Sequence, residues 1–123
     1  MQTEQRKYIR YIIKNAAFAV FRPEFQILGK IKDISKKGLA CEYLNHKDFN
    51  NDIKEIEIDI LLTNSNFYMP MVPCKIIYDN KSPNNPSYDI NKTMECRRCG
   101  MKFKKLHDKH KQNLNLFLKY HVI

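Results

Sequence analysis

Arg6 and Arg10 stand four residues apart near the start of a chain that otherwise takes its positive charge from lysine: of 22 basic residues, only five are Arg. A guanidinium is a rigid planar fork that can hold a phosphate, or guanine O6 and N7, through two hydrogen bonds and can stack on a base. A lysine ammonium offers neither. The pair therefore points to planar, bidentate recognition, although RxxxR alone also describes a surface charge pair. The second group is Asp33-Ile34-Ser35-Lys36-Lys37-Gly38. Asp and Ser two apart, then Gly, favour a turn in which the side chains bond the local backbone. Such a turn also offers a carboxylate that can accept from guanine N1–H and N2–H2, and a hydroxyl suited to phosphate or a base edge. Taken by itself, the segment reads better as a plain strand–turn–strand connection.

Other constellations carry less. Cys96-Arg97-Arg98-Cys99, with His107 and His110 beyond it, has zinc-ligand residue types, but only seven residues separate Cys99 from His107. A finger needs about a dozen there to fold around the ion. In a strand Cys96 and Cys99 would also face opposite ways. Buried thiols and helix histidines are the expectation, with no metal and no cofactor. Ser35 and Ser82 have no adjacent histidine pattern, HExxH and glycine-rich phosphate loops are absent, and the chain holds three glycines. No catalytic residues are assigned; a binding module, not an enzyme, is expected. Glu55, Glu57 and Asp59 alternate with isoleucines and are read as one solvated strand face.

The elements that must position these residues follow from patterning. At 123 residues and 14.7 kDa the chain has room for a single domain with one modest core. Apolar, β-leaning stretches at Ala16–Val20, Phe25–Ile34, Leu39–Leu44, Ile56–Ile60, Phe67–Tyr78 and Met94–Leu106 predict about six strands. In the second, Ile27, Gly29, Ile31 and Asp33 are placed on one face. Pro70 and Pro73 predict an edge position or a bulge, and the Asn/Pro/Ser-rich segment from Asp79 to Thr93 predicts a loop. The tail changes period: Leu106, His110, Leu114, Phe117, Leu118 and His121 align on one helical face. Strands at this spacing favour a small antiparallel barrel or sandwich.

Charge is unevenly placed within the net +9. Residues 1–38 carry nine Lys/Arg against three acids, residues 39–95 five against nine, and residues 96–123 eight against one. Basic ends around an acidic middle point to an anionic partner. No stretch approaches a membrane span, and the N-terminus lacks a signal peptide's apolar core. A cytoplasmic protein with four free thiols, not inserted in a membrane, is expected.

RxxxR followed some twenty residues later by DxSxxG at the end of a strand resembles the PilZ domain family, over nearly the whole chain. Arg6 and Arg10 match its paired arginines; Asp33, Ser35 and Gly38 match its second motif. Arg98-Cys99-Gly100-Met101-Lys102-Phe103 resembles its last barrel strand, whose Gly-x-x-Phe pattern precedes the helix. The resemblance implies an all-β fold, a six-stranded antiparallel β-barrel with a C-terminal α-helix, and a bacterial receptor for cyclic di-GMP that acts in signal transduction. It further implies that Arg6 and Arg10 contact phosphates and guanine faces, that Asp33 and Ser35 bond a guanine edge, and that Gly38 permits a sharp turn and close ligand approach. Gln5 stands where many members carry a further Arg, which leaves ligand stoichiometry open. The expected layout is a flexible ligand clamp at 1–14, a barrel at 15–106 and a helix at 107–121. The clamp would order on binding, and the module would then signal to a protein partner, as monomer or homodimer. Two alternatives stay open: a basic barrel binding single-stranded nucleic acid, against which the acidic strand at 55–59 speaks, and a PilZ-like adaptor without ligand.

Overall fold

The computed structural model describes residues 9–13, 16–22, 27–46, 54–63, 66–82 and 94–122. Seven strands and one helix lie within them: β1 (Tyr11–Ile12), β2 (Ala17–Arg22), β3 (Leu28–Ile34), β4 (Gly38–His46), β5 (Glu55–Leu62), β6 (Tyr68–Lys81), β7 (Met94–Phe103) and α1 (Asp108–Tyr120). Every pairing is antiparallel, in the order β1-β3-β2-β5-β6-β7-β4, and an additional β3–β4 pairing closes the sheet. The result is the expected six-stranded barrel, β2 to β7, with a C-terminal helix. The two-residue β1 was not foreseen. It pairs Tyr11 with Ile34 and Ile12 with Asp33, beyond the part of β3 that β2 covers.

Alternation builds the core. Ala17, Ala19 and Phe21 of β2 point inward, as do Ile58, Ile60 and Leu62 of β5. Where alternation breaks, a bulge is responsible. A register shift between Ile31 and Asp33 turns both Ile31 and Ile34 inward and leaves Asp33 partly exposed, so Ile31 and Asp33 do not share a face. β6 has a strand on one side only along the stretch that holds its prolines, since β5 covers Tyr68 to Lys75 and β7 begins to pair at Cys74, so Pro70 and Pro73 do lie at an edge. Pro70 is also accommodated by a bulge at Pro70–Met71, at the shift between Ile58 and Ile60, where Met71 adopts φ 55°, whereas Pro73 stays in register opposite Glu57. β6 also runs on to Lys81, so the Asp79–Thr93 loop begins later than expected; its residues 83–93 lie outside the described ones.

That second bulge overturns one expectation. Asp59 is not solvated with Glu55 and Glu57; its side chain is only 6% exposed. Arg22 grips it with Nε to Oδ1 at 2.7 Å and Nη2 to Oδ2 at 3.0 Å, the Tyr68 hydroxyl donates to Oδ2 at 3.0 Å, and the Met71 N–H donates to Oδ1 at 2.9 Å. The carboxylate thus caps the backbone group that the bulge frees. Burial pushes its pKa up, but the hydrogen bonds from Arg22, Met71 and Tyr68 and the Arg22 charge outweigh that and hold it below the ordinary value.

The helix packs on the barrel through its apolar stripe. His110, Leu114 and Phe117 are buried, and Phe67 meets the Phe117 ring edge-on at 5.1 Å. His107 caps the N-terminus, its Nδ1 accepting from the His110 N–H at 3.3 Å. His110 Nε2 lies 2.8 Å from the Pro70 carbonyl oxygen, which seats the helix on the bulge. No helix among the described residues is long and apolar enough to cross a membrane.

Because the folded carboxyl of Asp59 is held low, its stabilisation is present above the unfolded value near pH 4 and is lost as pH falls through the folded one. Asp59→Asn should therefore unfold at lower urea at pH 7, by roughly 2 kcal/mol, and lose less of its remaining stability than wild type between about pH 4 and pH 2. Chemical denaturation at both pH values checks this. Equal midpoints for the two proteins at pH 7 would refute it.

Candidate functional site

The outer surface at the β3–β4 corner gathers the charged residues. Pairing of β1 with β3 sets Ile12 opposite Asp33, and Arg10, two residues upstream, reaches back so that its Nη1 donates to Asp33 Oδ1 at 2.8 Å. Twenty-three positions of sequence separate them. From the other side β7 brings Arg98, in register with Glu42 of β4, to 3.8 Å from Asp33 Oδ2. Lys32 lies 3.4 Å from Glu42. A carboxylate between two guanidiniums, partly open to water, is a polar surface able to bind both an anion and a hydrogen-bond donor edge.

The turn beside it is built by Ser35. Its backbone N–H donates to the Gly38 carbonyl at 2.8 Å, while its hydroxyl accepts from the N–H groups of Lys37 at 3.1 Å and Gly38 at 3.3 Å. Ser35 is buried, so its hydroxyl serves the turn. Gly38 begins the long β4–β7 ladder opposite Lys102. A Cβ there would strike the Met101 carbonyl oxygen and stand 3.1 Å from Lys102 Cα. No described glycine has positive φ, so Gly38 is needed for the close approach of two strands and not for a special turn conformation. Gly100, in the same ladder, leaves room for the Tyr78 ring. Tyr78 in turn stands beside Arg98 and holds its pKa above the ordinary guanidinium value.

Of the five residues singled out from sequence, four stand at this corner: Arg10, Asp33, Ser35 and Gly38. Arg6 lies outside the described residues, as does Gln5. Arg98 and Tyr78 were missed as members of the group. The rarity of arginine was a signal for Arg98, but which acid it would meet depends on the β4–β7 register.

The cysteines occupy other places. Cys41 and Cys99 face each other across β4 and β7, both buried, and Cys74 is buried nearby. The hydrogen bond with Cys99 and burial push Cys41 well above the ordinary thiol range, and burial pushes Cys74 up to about 12. Such thiols stay protonated. Among the described residues no three His, Cys, Asp or Glu side chains cluster to hold a metal.

The sequence profile of the PilZ domain matches residues 4–120. No curated protein sequence matches. Among solved structures, the PilZ domain of YcgR from Escherichia coli with c-di-GMP is similar at TM-score 0.63 and 12% identity, covering 94% of this chain and 92% of that one. YcgR from Escherichia coli in complex with c-di-GMP is similar at TM-score 0.66 and 10% identity, over 95% of this chain and 46% of that one. MrkH, described as a c-di-GMP-dependent transcription regulatory factor, is similar at TM-score 0.65 and 13% identity, over 95% and 51%. This chain thus spans about half the length of the two longer proteins. At these identities the likeness is one of fold.

A methyl group at Gly38 meets backbone, which cannot rotate away. Gly38→Ala should lower stability by roughly 1–3 kcal/mol, read as a lower urea midpoint. An unchanged midpoint would show that β4 and β7 can separate locally without cost.

Proposed function

The chain belongs to the PilZ domain family, and from that premise we propose that it is a receptor for cyclic di-GMP, a binding module and not a catalyst. The observation that carries the reading is the Arg10–Asp33 contact at 2.8 Å. It joins RxxxR to DxSxxG in space. A ligand with two phosphates and two guanines needs bidentate cations, a carboxylate acceptor and a rigid loop, and this corner offers all three. Without ligand, Arg10 and Asp33 satisfy each other. With it, Arg10 would turn to a phosphate or guanine face while Asp33 accepts from a guanine N1–H and N2–H2. Ser35 and Gly38 would act by holding the loop in place, and Arg6 would add the second fork.

In this reading, residues 1–14 form a clamp whose root is already fixed. Tyr11 and Ile12 pair with β3, and Ile13 bridges to Val122 just beyond the helix. Binding would fold the residues before Arg10 across the barrel, with ligand contacts offsetting the lost chain entropy. The c-di-GMP complex of the YcgR PilZ domain supports the ligand assignment. The altered surface would then be read by a protein partner.

Calorimetry with cyclic di-GMP tests the site. Arg10→Ala and Asp33→Ala should each weaken binding by roughly 1–3 kcal/mol, and their effects should combine non-additively, because each removes the other's partner. No heat with the wild type, or unchanged affinity in both variants, would sink the proposal. The clamp has its own measurement. Trypsin should cleave after Arg6 and Lys7 in the free protein and much more slowly with ligand bound; identical cleavage in both states would leave the receptor without an ordering switch.

A further inference from the structure

Five lysines converge on one groove of about 460 Å³: Lys36 and Lys37 from the turn, Lys104 and Lys105 after β7, and Lys111 from α1. No acidic residue lines it among the described ones. Each of the five is exposed, and Lys104 also pairs with Glu55 at 3.1 Å across an open surface. The groove's floor is apolar, made by Phe103, Leu106 and Leu114, which belong to the core. Like charges in one concavity focus a positive field, and an anionic occupant relieves their repulsion.

The lining decides which anion. Single-stranded nucleic acid is held by exposed aromatic platforms together with cations, arginine often among them. Here no arginine lines the groove, and its one ring, Phe103, is 7% exposed. Aliphatic lysine stems over the small open parts of Phe103, Leu106 and Leu114 give the groove an apolar lining beside its charge, which suits a peptide with both kinds of side chain. We infer that this groove docks a short acidic, amphipathic segment of a partner protein, its carboxylates against the lysine ammonium groups and its apolar side chains against the lysine stems above Phe103, Leu106 and Leu114. The groove and the proposed ligand corner share one piece of backbone, since the Phe103 N–H donates to the Lys37 carbonyl at 2.7 Å. Its role as the output surface rests on the receptor reading; its peptide-binding chemistry does not.

Fluorescence anisotropy of a labelled peptide of alternating Glu and Leu, titrated with the full chain, tests the inference. Lys105→Glu/Lys111→Glu should bind it at least tenfold more weakly, while its melting temperature and its calorimetric titration with cyclic di-GMP match the wild type. Lys105→Arg/Lys111→Arg should retain binding, and added salt should weaken the wild-type complex. Equal binding by wild type and the charge-reversed protein overturns the inference, as does no binding by wild type. A single-stranded thymidine oligomer that binds more tightly than the peptide, with the same lysine dependence, also overturns it and assigns the groove to nucleic acid. Absence of heat with cyclic di-GMP in the wild type would remove the receptor reading and leave the peptide result to stand by itself.

Discussion

The barrel closes where β3 turns into β4, and the rest of the molecule is arranged around that closure. β3 pairs with β4 from Lys30 to Ile34, and β4 then runs along β7 from Gly38 opposite Lys102 to His46 opposite Met94. Without the corner, β3 and β4 would each present an unpaired edge. Ser35 spends its hydroxyl on the corner's backbone, and Gly38 keeps β4 and β7 in contact. The residues that close the sheet are also those that display Asp33. A site on such a corner is positioned by the fold itself, which is the condition for a preorganised binding surface.

The sheet's irregularities place its polar groups. Register shifts occur between Ile31 and Asp33, between Ile58 and Ile60, and between Ile76 and Tyr78. The first leaves Asp33 accessible. The second buries Asp59, whose carboxylate satisfies the bulged Met71 N–H. The third accompanies Tyr78 lying over Gly100 beside Arg98. A bulge re-aims a side chain that strict alternation would send elsewhere.

This explains which parts of the molecule were legible in the sequence. The helix was, because Leu106, His110, Leu114 and Phe117 repeat with the helical period and depend on nothing far away. The barrel was, through strand number and spacing. Asp59 was misread, because alternation records polarity and not the partner, and its partners Arg22 and Met71 lie in other strands. Pro70 marked a bulge or an edge, and the pairings show both at once, a bulge against β5 on the part of β6 that β7 does not reach. RxxxR and DxSxxG were visible as motifs. Arg98 was not visible as part of their surroundings, since its approach to Asp33 is made by the β4–β7 register.

The scarcity of arginine first pointed to recognition at the N-terminus, and the structure gives that scarcity a wider meaning. Every described arginine meets a carboxylate: Arg22 on Asp59, Arg97 on Asp79 and Glu95, and Arg10 and Arg98 on Asp33. The planar fork is used throughout for directed pairing, while lysine supplies bulk charge. The pairs differ in exposure. Asp59 and Asp79 are 6% and 11% exposed, so parting them from arginine would strand a largely buried charge. Asp33 is 21% exposed, more open than either, and its partners Arg10 and Arg98 are 32% and 39% exposed. Water already competes for that pair, so its net contribution to stability is small. An ion pair held loosely is one that a ligand can exchange, and among the arginine–carboxylate contacts described, the one at the β3–β4 corner is the best placed to do so.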